Sequence, residues 1–142
     1  MSLAINFEAF ASIERNLSLG GPFYMLNLLR FRAIAAYEGG FEPAGQTGRE
    51  AYFGGYLPAF SAVTAALRIV GIAPIFAGSV AGHVAGPIGE RWDAIAIVTY
   101  PSFDAFRQVV TSKPYARLAE PHRKAALEDW RLVASKKLDL PN

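Results

Sequence analysis

Two stretches of the chain alternate as β-strands do, yet carry apolar residues on both of their sides. Residues 92–100, WDAIAIVTY, send Trp92, Ala94, Ala96, Val98 and Tyr100 one way and Asp93, Ile95, Ile97 and Thr99 the other. Pro101 ends the run, because it has no N–H to give to a central ladder. Residues 23–32, FYMLNLLRFR, repeat the pattern, with Phe23, Met25, Asn27, Leu29 and Phe31 opposite Tyr24, Leu26, Leu28, Arg30 and Arg32. Strands that are apolar on both faces have to be covered on both. After Pro101 the period changes. Ser102 is placed to cap a helix, Asp104 puts a negative charge in its first turn, and Phe103, Phe106, Val109 and Val110 form one apolar stripe.

The remaining segments complete a pattern. Asn6 is expected to cap a short helix carrying Phe7, Phe10, Ala11 and Leu17, which Gly20-Gly21-Pro22 stops, so residues 1–21 read as an N-terminal helical extension. Residues 38–48 are glycine-rich, contain Pro43 and Gln46, and have no period; a loop of this length is expected to cover or bind something. From Arg49 to Leu67 the spacing of Tyr52, Tyr56, Phe60, Val63 and Leu67 is helical, while Gly54, Gly55 and Pro58 predict a kink. Residues 72–84 read as a glycine-containing strand, and residues 85–89 as the turn of a hairpin back to Trp92. Ser112-Lys113-Pro114 restarts a helix through Tyr115, Leu118 and Ala119 that Pro121 redirects towards Leu127, and residues 130–136 form the last strand.

The order is a leading helix followed by βαββαβ, the ferredoxin-like arrangement of an α+β fold, here spanning residues 22–137 of a single domain 1–142. Its helices occupy one face of a four-stranded antiparallel sheet. The other face would present Leu26, Leu28, Ile95 and Ile97 to water, which predicts a second copy of the chain as its cover: a homodimer whose sheets pack face to face as a barrel.

Composition narrows the function. With 142 residues, 52% of them hydrophobic, the chain has material for one real core. A net charge of +2 from 14 basic and 12 acidic residues, with no basic run longer than Lys136-Lys137, argues against nucleic acid. The absence of cysteine excludes disulfides, thiolate nucleophiles, thiolate zinc sites and iron–sulfur clusters. No basic leader precedes an apolar run, and no apolar stretch approaches the roughly twenty residues that span a bilayer, so a cytoplasmic protein with no membrane partner is expected.

Few residues carry chemistry. Asn27 places an amide on an apolar strand face, where it needs either a structural hydrogen bond or a ligand. Arg30 suits a carboxylate or an enolate, or else an ion pair near the strand end. Tyr52 and Tyr56 stand one helical turn apart, able to hold an aromatic ligand, to donate a proton, or to edge the core. His83 and His122 are the imidazoles available to bind a ligand or move a proton, and their spacing gives no metal site. Asp93 follows Arg91 and Trp92, and is either paired or a base in a dry pocket mouth.

The segments MLNLLRFR (25–32), GREAY (48–52), ERWD (90–93), YPS (100–102), Pro114-Tyr115, His122-Arg123 and Leu127-Glu128-Asp129, in this order, resemble the bacterial unknown-function family 1330 of the dimeric α+β barrel superfamily. The resemblance covers nearly the whole chain and implies the fold and the dimer, but no reaction. It adds Tyr115, Arg123 and Trp92 to the candidate ligand-binding set. Relatives in the superfamily include cofactor-independent monooxygenases, lactone isomerases and haem-degrading enzymes, with pockets between sheet and helices. Haem-degrading members use an Asn, a Trp and a His, which Asn27, Trp92 and His122 echo with altered placement.

Two functions are therefore expected. One is an enzyme without cofactor, monooxygenase- or isomerase-like, acting on a small hydrophobic or aromatic molecule: Asn27 and Arg30 steady an enolate or phenolate, His122 or Asp93 moves a proton, and Tyr52, Tyr56 and Trp92 shape the pocket. The other is a ligand-binding or sensing dimer in which no proton moves. Convergence of Asn27, Arg30 and a histidine on one pocket favours the first, and their dispersal the second.

Overall fold

The computed structural model describes residues 3–18 and 20–141; Met1, Ser2, Leu19 and Asn142, which the sequence reading placed in the extension and at the domain ends, lie outside them. Four strands, β1 (Phe23–Phe31), β2 (Ala73–Ser79), β3 (Ala94–Tyr100) and β4 (Leu127–Ser135), form one antiparallel sheet in the order β2-β3-β1-β4. With helices between β1 and β2 and between β3 and β4, this is the ferredoxin-like topology expected of the sequence.

The register assigns the faces. Asn27 lies opposite Ala96 on β3 and Leu132 on β4, and Leu29 opposite Ala94 and Trp130, so these residues share one side with Phe23, Met25 and Tyr100. Most of them are buried beneath the helices. A bulge between Arg30 and Phe31 shifts the pairing of β4, which starts at Leu127 and not at Trp130 as expected. The opposite face carries Leu26, Leu28, Ile95 and Ile97, all partly exposed, with Phe76 and Val133 about half exposed at its flanks. It is as apolar as the alternation predicted.

Helix α4 (Phe103–Val110) follows its sequence signals closely. Ser102 Oγ accepts the Ala105 N–H at 3.1 Å, and Phe103, Phe106, Val109 and Val110 are buried. The N-terminal segment packs on this helix: Phe10 of α1 (Phe10–Asn16) sits edge-on to Phe103 at 5.1 Å, and Arg107 bonds Glu14. Asn6 precedes a short 3₁₀ turn, Phe7–Ala9, but its side chain caps nothing, contrary to the expectation. Aromatic packing and the Glu14 ion pair hold the segment instead.

The first crossover starts where Thr47 and Glu50 form a reciprocal capping box, with Glu50 N–H to Thr47 Oγ1 at 3.1 Å and Thr47 N–H to Glu50 Oε1 at 3.0 Å. Helix α2 (Gly48–Ala51) runs into a π turn, Tyr52–Tyr56, and then α3 (Leu57–Ala66). The predicted kink is this wider turn, which contains Gly54 and Gly55 and is closed by the Leu57 N–H to the Tyr52 carbonyl. The second crossover repeats the device: a π turn, Tyr115–Ala119, precedes α5 (Glu120–Ala126). Among the described residues no helix is long and apolar enough to cross a membrane.

The hairpin differs most from expectation. Strand β2 ends at Ser79 and β3 begins at Ala94, so Trp92 is not in the strand. The Val80 N–H reaches the Asp93 carbonyl at 3.0 Å, and beyond it Gly86 and Gly89, both at positive φ, carry the chain through an exposed loop. Freed from the alternation, Trp92 turns to the open side of the sheet and lies under the guanidinium groups of Arg131 (5.0 Å) and Arg30 (5.9 Å).

Candidate functional site: a cleft beneath the helices

Between α3 and the β2–β3 half of the sheet lies a cleft of about 550 Å³. It exists because the sheet floor is built from small residues: Ala77, Gly78, Ala94 and Ala96 leave the space that Leu57, Phe60 and Thr64 of α3 roof over. At its inner end the cleft meets a pocket of about 30 Å³ that shares Asn27, Tyr52, Tyr56, Phe60 and Tyr100 with it. A third space of about 330 Å³ lies under the N-terminal segment and shares Ile5, Met25, Phe106, Trp130 and Leu132 with the inner pocket.

The two π turns aim tyrosines at this inner pocket. Tyr52 and Tyr56 stack with ring centroids 5.2 Å apart, and the Tyr56 and Tyr115 hydroxyls share a hydrogen bond of 2.9 Å. Burial raises the pKa of Tyr52, Tyr56 and Tyr100 well above the ordinary phenol value, so all three are neutral donors at any physiological pH. Tyr115 is raised for the same reason, though the nearby Arg123 guanidinium opposes the shift. The hydroxyls of Tyr52 and Tyr100 make no hydrogen bond among the described residues. Their side chains nonetheless are only 7% and 6% exposed.

Asn27 is half-buried at the centre of the floor. Its Nδ2 donates to the Met25 carbonyl at 3.1 Å and the Ala96 carbonyl at 3.3 Å. Because both partners are acceptors, the amide orientation is fixed, and Oδ1 is left for the cavity that Asn27 lines. The sequence left a structural bond and a ligand-facing role open; the geometry accommodates both at once.

Arg123 is buried at 2% exposure behind Tyr115 and Trp130. Its guanidinium lies 4.3 Å from the Trp130 ring centroid, Nη1 donates to the Leu3 carbonyl, and Nε has no hydrogen-bond partner among the described residues. The other candidates lie elsewhere. Arg30 stands on the open face, its Nε 3.0 Å from Glu128 and its Nη2 3.7 Å from Asp129, so the ion-pair reading describes it. Asp93 accepts the Phe31 N–H at 2.8 Å and pairs with Arg91 at 3.1 Å, serving the strand edge. His83 is in the exposed hairpin loop.

His122 occupies a separate niche under the loop at residues 32–47. Its Nδ1 shares a hydrogen bond of 2.6 Å with the Tyr37 hydroxyl, Phe41 packs edge-on at 4.9 Å, and partial burial lowers its pKa. The loop thus does cover something, as its length suggested. Asn27, Trp92 and His122 consequently lie in three different places, and no common surface for a haem joins them. Among the described residues no cluster of metal-ligating side chains occurs.

Sequence reasoning passed over two residues that matter here. Tyr100 was read as the end of a strand and as part of a family motif but not as a site residue, although it shares a face with Asn27; pairing Phe23 with Tyr100 in register would have exposed it. Tyr37, just before the glycine-rich segment, gave no signal, since its partner is 85 residues away.

Solved structures resemble the whole molecule. The crystal structure of methylated RPA0582 protein superposes with a TM-score of 0.78 at 36% identity, covering 97% of this chain and 96% of the other. The structure of the RPA0582 protein of unknown function from Rhodopseudomonas palustris gives a TM-score of 0.76 at 35% identity, covering 97% and 98%. This chain belongs to the RPA0582 family. No protein-family model and no curated protein matches the sequence. At this identity over nearly full length the RPA0582 family shares the ferredoxin-like α+β architecture described above.

Proposed function

We propose that this member of the RPA0582 family is a binding protein for a small, flat, largely apolar molecule, held in the cleft between α3 and the β2–β3 sheet floor. The observation that carries the reading is the cleft itself: about 550 Å³, within the usual range for small-ligand sites, walled mainly by alanine, aromatic and aliphatic side chains around one amide and several phenols. A catalytic reading is less well served. Its proton-moving groups, His122 and Asp93, and its anion-steadying Arg30 are engaged in contacts outside the cleft.

The protein acts as a homodimer in this reading. The open face, with Leu26, Leu28, Ile95 and Ile97 at its centre, is a contiguous apolar surface of the kind that a second copy covers, and face-to-face packing would make the barrel of the dimeric α+β superfamily. The resemblance of the chain's motifs to the unknown-function family 1330 supports the same dimeric reading.

Naphthalene tests the cleft. Its fluorescence is expected to change on titration with the wild-type protein, and an Ala77→Trp variant, which fills the cleft from its open edge, is expected to lose the response while keeping its melting temperature. Undiminished binding by the filled variant would refute the assignment.

A further inference from the structure

The cleft beneath α3 ends in a feature that an apolar ligand alone does not explain. Two phenols, Tyr52 and Tyr100, each more than nine-tenths buried, line the same 30 Å³ pocket and have hydroxyls without hydrogen-bond partners among the described residues. Buried hydroxyls are ordinarily paired, because an unmade bond costs each of them its lost hydration. Neither atom belongs to the sealed, unpaired polar atoms of the protein, so each opens onto space and not onto packed side chains. The third polar group there, Asn27, has its Nδ2 committed to two sheet carbonyls and its Oδ1 uncommitted.

The geometry points to a head-group site in which the Tyr52 and Tyr100 hydroxyls donate to one uncharged carbonyl oxygen of the ligand. The inference rests on the cleft being the binding site and adds the chemistry of what enters it. The pocket holds about the volume of a single water or carbonyl group, whereas the adjoining cleft holds the body of the molecule. Asn27 Oδ1 then suits an O–H or N–H beside that carbonyl, as in a hydroxyketone or an amide. A neutral oxygen is favoured over a carboxylate because no lining residue of the pocket is charged, and an anion buried without a cation is strongly disfavoured. The buried cation Arg123 bears on Tyr52 and Tyr115 from behind the lining, but its guanidinium faces Trp130 and the Leu3 carbonyl and does not itself line the pocket.

Three probes of one shape separate the possibilities: 2-acetylnaphthalene, 2-naphthoate and 2-ethylnaphthalene, titrated into the full-length protein and into a Tyr52→Phe/Tyr100→Phe variant that retains both rings. The ketone is expected to bind the wild type about tenfold or more tighter than the ethyl compound, which is the effect of two neutral hydrogen bonds, and the double variant is expected to erase that difference. Equal affinity of ketone and ethyl compound for the wild type would overturn the head-group site and leave the cleft assignment standing. A ketone preference that survives in the double variant, or a carboxylate that binds tightest, would overturn it as well. Failure of all three probes to bind would remove the cleft assignment and this inference together.

Discussion

Replacing Gly55 with alanine tests whether the π turn is shaped around His122. A Cβ built on Gly55 would lie 2.5 Å from His122 Nδ1, 3.0 Å from its Cε1 and 2.8 Å from the Ala44 Cβ, where ordinary contact begins near 3.4 Å. The imidazole therefore has to move by roughly 1 Å. That displacement breaks the 2.6 Å bond from Tyr37, about 1 kcal/mol for a neutral pair. It also disturbs the edge contacts with Phe41 and Tyr37, about 0.5–1.5 kcal/mol each. Alanine's better helix propensity offsets about 1 kcal/mol. The expected net loss is about 1–3 kcal/mol, which for a chain of this size lowers the melting temperature by roughly 4–12 °C. Thermal unfolding followed by circular dichroism measures it. In an Ala44→Gly/His122→Ala background the clash is gone, and the same Gly55→Ala change should become neutral or stabilising. If it costs as much there as in the wild type, the steric account of this turn is wrong.

Further predictions concern titration and assembly. Because burial lowers the pKa of His122 below its ordinary 6.5, the unfolded chain binds the proton more readily, so stability should fall as pH drops below about 6.5. A His122→Asn variant should flatten that part of the melting-temperature profile, and a wild-type slope that persists in the variant would contradict it. For the buried phenols the sign is reversed: Tyr52, Tyr56, Tyr100 and Tyr115 hold their protons more tightly folded than unfolded, so stability should decline above about pH 10. Ultraviolet titration should show these tyrosines ionising together with loss of the near-ultraviolet dichroism; earlier, gradual ionisation would mean that they are not buried. Leu28→Asp places a charge at the centre of the open sheet face, and sedimentation should show the wild type at twice the chain mass and the variant at one chain mass with unchanged far-ultraviolet dichroism. A wild type that sediments as a single chain would remove the proposed dimer.

The fold was legible because its signals were local. The alternation read over residues 23–32 and 92–100, the Ser102 cap and the stripe of α4 each needed only neighbours in sequence; the strands form at 23–31 and 94–100, and the cap and the stripe where the pattern put them. The kink at Gly54-Gly55 was placed by composition, but its form as a π turn was not, since that depends on His122 arriving from the far end of the chain. Trp92 was misplaced because alternation was carried two residues past the end of the strand into a segment whose glycines set its path. The site was harder still. Asn27, Tyr52, Tyr56 and Tyr115 meet only because β1 and two crossover helices fold onto one another, and Tyr100 joins them through strand register. Nothing in the spacing of Arg30, Asp93 or His122 could tell a cleft residue from an ion pair or a loop anchor.

Arg123 and Leu3 stand 120 residues apart, so the contact between them closes a loop that takes in three of the four strands. A contact of such separation is entropically costly to form early, so the N-terminal segment is expected to dock late, onto a sheet already paired. Its docking is what seals the flank of the sheet lined by Met25.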